Sequence, residues 1–425
     1  MSATLPAGVP VSVMDDHPVK RQRLLAILEE RDASSLILSS HGALAWYLEG
    51  ARTHTSLMGD AVLQVRVDRE GDVVSAFSNE AARLVAEELP AGMRVSGVPW
   101  FGALADGFEK RVDSRTLVES DVLVELRAAR ASLLPVELAR YRALCIDAAE
   151  AMTDVLGAAS PMQTERSLAA ALGASLLARG ADPVVLMVAG NSRAGYRHPL
   201  PTEERIGDRA MVVACARRHG LIANITRWVR CATGKGPAND ERILEVEAAY
   251  FDATEPGVAL SSVFAAGSAA YARAGFEPNE WGNHHQGGAA GYNGRDPRAT
   301  STVTDRVQPN QAFAWNPSAP GAKIEDTVLL GPAGIEPLTL DDRWPTVPYA
   351  GRLRPAELQL CRSAGRRAEA WPLARSRNRA SQSSLRSSAH AVSSCRDDSC
   401  SLRSTLDTWV STVFTEMNSE LATSL

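Results

Sequence analysis

The segment from Trp281 to Pro297, WGNHHQGGAAGYNGRDP, gathers side chains able to do chemistry: adjacent His284 and His285, the Gly287-Gly288 pair, Tyr292, and Arg295 followed by Asp296. An imidazole titrates near neutrality, so it can take a proton and return it at physiological pH. An arginine fork matches a carboxylate in two parallel hydrogen bonds. On a strand, successive side chains point to opposite faces, so only one of the two histidines would face a given cavity. Arg-Asp-Pro is equally an ordinary surface turn with an internal ion pair, and both readings of Arg295 stay open. Tyr292 would line the same pocket.

Composition bounds the frame that must position these groups. The chain has 425 residues, 45% of them hydrophobic, and a formal net charge of -5. It is long enough for a large core and two or three domains. The charge balance offers no general attraction for nucleic acid or an anionic lipid surface. No apolar run approaches the roughly 20 residues that span a bilayer, and the first residues lack the order of a secretory signal, so a cytoplasmic protein is expected. Cys145, Cys215, Cys231, Cys361, Cys395 and Cys400 are scattered, with no CxxC pair, and read as thiols rather than a disulfide framework or zinc ribbon.

Along the chain, residues 16 to 130 alternate helix and strand. Pro18 opens a helical KRQRLLAILEERD, LILS reads as a strand, LQVRVDREGDVVSAF reads as a hairpin turning near Gly71, Asn79 is expected to cap a helix, and MRVSGV reads as a strand. No Gly-rich turn joins a strand to a helix, which disfavours a dinucleotide site. From Pro135 a long amphipathic helix begins a second unit. A second helix and three strand signals follow, VVLMVAG, MVVACAR and LIANITRWVR, then two more helices, AFAWNP, and a hairpin at KIEDTVLL. Helices over one curved, mainly antiparallel sheet are the expected architecture. Beyond Arg352, arginines sit among serines with little apolar material, so residues 353–425 are expected to form a disordered tail. Its end, from Ser401, regains a helical pattern with Ser404 and Asp407 spaced as a capping box.

Four segments of the second unit, VAGNSRAGYRHPLPTEERIGDRAMVV, GLIANITRW, the His-His segment and FAWNPSAPGAKIEDTVLL, resemble in order and approximate spacing the pita-bread hydrolases: creatinase, prolidase, aminopeptidase P and methionine aminopeptidase. The resemblance implies an α+β fold, with a pita-bread domain over 131–352 preceded by a smaller α/β creatinase-type domain over 1–130. In the peptidase members an Asp, a second Asp in an SDITR-like strand, a His, a Glu before Pro and a Glu in an R-x-E-D hairpin hold two divalent ions. Here Asn224 stands at the second Asp, and Asn316 stands at the Glu-Pro carboxylate. The first Asp falls on the run Val212 to Cys215. His284 or His285 and Glu325 are what remain, and the two glycines that follow favour His285.

Two divalent cations are held close together only where anionic carboxylates bridge and neutralise them, and an amide carries no charge. No metal cofactor is therefore expected, and the residual set would support at most one weakly held ion. His198, in YRHPLPT, matches the family histidine beside the substrate, which in metal-free creatinase transfers protons during C–N hydrolysis; its alternative is a ring that merely fills the loop. Glu325 would bind a substrate cation or orient His198, or else pair with Lys323. Asn224 and Asn316 suit a neutral or zwitterionic ligand, Arg295 its carboxylate. The leading expectation is a metal-independent creatinase-like hydrolase of a small polar substrate, with His198 and Glu325 catalytic and Asn224, His285, Tyr292, Arg295 and Asn316 binding. The alternatives are an X-Pro-type metallopeptidase and an inactive homologue that binds a ligand or partner. A homodimer is expected by the same resemblance.

Overall fold

The computed structural model describes residues 16–108, 113–231 and 239–360. The expected terminal helix and nearly all of the Arg/Ser tail lie outside these residues.

The first unit is a mixed five-stranded sheet. Its strands are β1 (Ser35–Leu38), β2 (Leu63–Asp68), β3 (Asp72–Phe77), β4 (Arg94–Val98) and β5 (Thr116–Val118), in the order β4-β3-β2-β1-β5. The β2–β3 hairpin turns at Gly71 as its sequence predicts, with Val67 opposite Asp72. Helices α1 (His17–Glu30), α2 (His41–Tyr47), α3 (Ser78–Arg83) and α4 (Leu123–Ala131) surround it. Asn79 lies inside the first turn of α3 and makes no cap; Phe77 holds the cap position.

In the second unit α5 (Pro135–Gly157) starts on Pro135, and Glu137 accepts the Leu134 N–H at 2.8 Å, satisfying one of the donors a helix start leaves unpaired. The next helix, α6 (Glu165–Ala178), is capped by Thr164, whose hydroxyl accepts the Ser167 N–H at 3.1 Å. Strands β6 (Asp182–Ala189), β7 (Arg209–Arg218) and β8 (Leu221–Arg230) form an antiparallel ladder. Every residue of β8 is buried, the signature of a strand covered on both faces. Helices α7 (Asn239–Ala253) and α8 (Leu260–Arg273) follow, then β9 (Gly287–Ala290) and β10 (Ala312–Trp315).

The remaining strands are short: β11 (Ser318–Ala319), β12 (Ala322–Lys323), β13 (Val328–Gly331), β14 (Gly334–Pro337), β15 (Thr346–Tyr349), β16 (Arg352–Pro355) and β17 (Leu358–Gln359). The expected single sheet is two four-stranded sheets, β17-β8-β7-β6 and β14-β13-β10-β9. Pro317 and Pro320, which cannot donate to a ladder, interrupt the strand run between them. The sheets meet where the Thr226 N–H donates to the Glu325 carbonyl at 3.0 Å. The expected hairpin at KIEDTVLL is instead two: β11–β12 around Gly321 and β13–β14 beyond it.

The core around Leu144, Met152, Ile225 and Val229 runs without a break into that of the first unit, through Leu44, Trp46 and Leu63. A second core, with Tyr250, Tyr271, Phe313 and Trp315, lies under α7 and α8. Charged contacts also tie the first unit to the second. Lys20 of α1 is fully buried, 2.7 Å from Glu49 and 3.2 Å from Glu137, and the Tyr292 hydroxyl donates to Glu137 at 2.6 Å. Ordered chain continues past 352: β16 pairs with β15, and β17 adds in parallel to β8. The expected boundary at 352 therefore falls inside a strand pair, and residues 353–360 belong to the second unit.

Candidate active site

The site sits where β7, β8, the approach to β9 and the 323–325 segment converge. Gly287 and Gly288 fix the approach. At Gly287 (φ +96°) an added Cβ would stand 2.1 Å from the Ala314 carbonyl oxygen, and at Gly288 (φ +143°) 2.5 Å from that of Pro297. Only glycine lets β9 lie this close to both neighbours.

His284 and His285 both reach His198. Ring centroids are 4.7 Å and 5.5 Å from that of His198, and 4.4 Å from each other. The expectation that only one histidine faces the cavity is overturned because the pair precedes the strand. It follows a short 3-10 turn, Glu280–Asn283, and the chain bends again at Gly287, so strand alternation does not govern it. His284 Nε2 is 3.1 Å from His198 Nε2. Burial, followed by the charge of Lys323, holds the His284 pKa far below the ordinary range. His285 is pushed down to about 3 by burial and then by Arg295 and Arg298. His198 is solvent-exposed along one edge, and partial desolvation, then Lys323 and Arg298, lower its pKa. The cluster is uncharged at neutral pH.

Glu325 is buried and shared. Its carboxylate accepts from the Thr226 hydroxyl at 2.9 Å and from Arg295, and Lys323 Nζ lies 3.9 Å away. Burial alone would raise its pKa, but Lys323, Arg295 and the hydrogen bonds outweigh this and keep it below its usual value. Arg295 also donates to Asn224 Oδ1 at 2.8 Å, and Cys215 Sγ lies 3.2 Å from the same oxygen. Asp296 turns the other way, to Arg130 at 2.7 Å, so Arg-Asp-Pro is no self-contained surface turn. Asn316 is buried, its N–H donating to the Gln286 carbonyl at 3.1 Å.

Of the residues singled out by sequence, His198, Asn224, His285, Arg295, Asn316 and Glu325 thus belong to one region. Tyr292 does not join them. It lines a separate cavity of about 740 Å³ with His41, Glu49, His54, Arg140 and His219, at the β7–β8 turn. Lys323, Thr226 and His284 are site residues that sequence reasoning left out or gave a lesser part.

A paired-ion centre does not fit this donor set. Asn224 and Asn316 are neutral, Val213 packs in an apolar cluster with Met211 and Trp228, and the Glu325 carboxylate is held by a guanidinium and faced by an ammonium. Two cationic side chains occupy the electrostatic role that two metal ions would need to fill.

An α and β frame with helices packed on two four-stranded sheets, and histidines and a carboxylate where the sheets meet, is the fold of a peptidase-type hydrolase. Residues 139–332 match the model of metallopeptidase family M24, so the second unit is a pita-bread domain of that family. The fold is similar to prolidase from Pyrococcus horikoshii OT3 (TM-score 0.63, 16% identity, covering 76% of this chain and 99% of that one). It is similar to dipeptidase PepE from Mycobacterium ulcerans (TM-score 0.63, 18% identity, 81% and 99%). It is also similar to the N-terminal domain of a FACT complex subunit from Cicer arietinum (TM-score 0.55, 11% identity, 77% and 98%). No curated protein matches the sequence.

Proposed function

We propose that the chain is a metal-independent, creatinase-like hydrolase that cleaves a C–N bond in a small polar or zwitterionic substrate. One observation carries the reading: an uncharged, solvent-reached imidazole, His198, persists while the sole carboxylate of the former ligand set is already engaged by Arg295 and Lys323. Neutral His198 takes a proton from water as the water oxygen bonds to the substrate carbon. It then gives that proton to the departing nitrogen as the C–N bond breaks, and returns to its starting state. His284, at 3.1 Å, fixes the ring and its tautomer.

Four buried polar atoms here, Asn316 Oδ1, Arg295 Nε, His284 Nδ1 and His285 Nδ1, have no hydrogen-bond partner among the described residues. Each such atom costs about 1–3 kcal/mol, a cost that a ligand with both donors and acceptors would relieve. Asn224, Asn316 and His285 on this reading position the substrate, with Arg295 and Glu325 forming a charged pair that a zwitterion can split. The reading includes a homodimer and a cytoplasmic location, the latter supported by the free thiols of Cys145, Cys215 and Cys231. No helix of the described residues is long and apolar enough to cross a membrane.

Purified protein assayed on guanidino acids, N-acyl amino acids and proline dipeptides should keep its turnover after chelation. Loss of turnover on chelation, with recovery on adding Mn²⁺, would falsify the proposal. That outcome, with near two ions per chain, would favour the X-Pro metallopeptidase that the prolidase and dipeptidase neighbours suggest. A third reading is an inactive homologue that binds a ligand or a partner through the same cavity. Absence of turnover on every substrate class, with ligand-induced thermal stabilisation, would favour it.

A further inference from the structure

We propose that His198, His284 and His285 form a single-ion site for a late first-row metal such as Zn²⁺, and that occupation of this site switches off His198. The site differs from a paired-ion centre in ligand type, ion number and sign of effect. It goes beyond the hydrolase reading, and its binding arm does not depend on that reading.

Each imidazole offers one nitrogen, and these three atoms lie within 4.8 Å of one another. The His198 and His284 Nε2 atoms are already 3.1 Å apart. A tetrahedral Zn²⁺ with Zn–N near 2.0–2.1 Å requires nitrogens separated by about 3.3 Å, so the third ring must close by at most about 1.5 Å. That ring is His285, which is only partly buried, whereas His284 is 7% exposed. Nitrogen donors without carboxylates select Zn²⁺, Cu²⁺ or Ni²⁺ over Mn²⁺ and Mg²⁺.

Lys323, Arg295 and Arg298 surround the cluster and oppose a bare dication, with Glu325 the compensating charge. The same cations favour an ion that carries an anion in its fourth position, such as chloride, hydroxide or a carboxylate. With three protein ligands the fourth position stays open. Once a metal holds the His198 lone pair, that nitrogen cannot accept a proton from water, so the ion inhibits where family peptidases would be activated.

The experiment titrates the full chain with Zn²⁺ by calorimetry in chloride buffer and without substrate, then records zinc K-edge absorption. The expected result is one Zn²⁺ per chain with three nitrogen neighbours. Affinity should fall at least tenfold in His198→Asn, a change at an exposed position that leaves the core intact, and in His285→Gln. Mn²⁺ should not compete. No saturable binding, two ions per chain, oxygen-dominated coordination, or unchanged affinity in His198→Asn would each overturn the inference. Where turnover is found, added Zn²⁺ should lower it at least tenfold and chelator should restore it; activation by Zn²⁺ would overturn the switch. A protein that binds Zn²⁺ as expected yet hydrolyses nothing would sink the hydrolase reading and leave this site standing.

Discussion

Lys323 and Glu325 are separated by one residue, so an extended backbone puts both on one side, where they meet Arg295. That alternation was readable in the sequence K-I-E; the arrival of Arg295 was not, because it comes from a loop 30 residues away. The reach of the histidine pair was misread for a related reason. Periodicity assumes a regular strand, and His284 and His285 sit between a 3-10 turn and a glycine with positive φ. Asn224 and Asn316 were recognisable because a motif carried each of them. Titration gives a test at this scale. The folded-state pKa values of His284 and His285 lie below the unfolded value near 6.5. Below pH 6.5 the unfolded chain binds protons that the folded one refuses, so stability, complete above that pH, declines as pH falls toward about 3. The unfolding free energy from urea melts should drop through this window by at most about 1.4 kcal/mol per pH unit for each histidine. His285→Gln should flatten the slope; an unchanged slope would mean the ring is solvated.

At the scale of elements, the carboxylate at the site is held by what lies behind it. Asp326 points away from Glu325 and accepts from Arg227 at 2.8 Å, the Thr339 hydroxyl at 2.6 Å and Arg354 at 2.7 Å. Arg354 also grips Glu247 of α7 through two bonds of 2.6 Å, and all four charged residues are buried. This network joins β8, α7, β16 and the 325–327 segment. Arg354→Leu would leave Glu247 and Asp326 short of a cation, at a cost of about 3–5 kcal/mol. The double change Arg354→Leu with Glu247→Leu should recover part of the loss, and a single-variant loss under about 1 kcal/mol in urea melts would refute the network's role. The sequence reading placed the end of the unit at Arg352 because composition turns to arginine and serine there. Composition does not reveal that one of those arginines neutralises two interior carboxylates.

For the whole molecule, the four helices of the second unit, its long strands and the first-unit hairpin are legible from periodicity and turn residues. The division of the sheet was not, because the proline-spaced strands of 318–323 are too short to leave a periodic signal. The same applies to β17, whose pairing with β8 joins residues 129 apart. The proposed homodimer needs a contact surface, and the first unit carries exposed apolar side chains. Trp100 and Phe101 are 71% and 76% exposed, packed edge to face with ring centroids 5.5 Å apart, and Met58 is also exposed. The Trp100–Phe101 pair offers an apolar contact that a second copy of the chain could cover. Sedimentation at micromolar concentration should give twice the mass of the 425-residue chain, and Trp100→Ser should shift it toward monomer. A wild-type protein that stays monomeric would remove the dimer from the proposal.

Lys20 has a longer reach than its position near the start of the described chain suggests. Its ammonium is shut away from water and balanced by carboxylates of Glu49 and Glu137, the second of which also receives Tyr292. The amino-terminal half is consequently no interchangeable cassette. Grafting the equivalent half of another pita-bread protein onto residues 135–360 would leave the buried Glu137 with Tyr292 but without its cation, unless the donor brought a lysine to the same place.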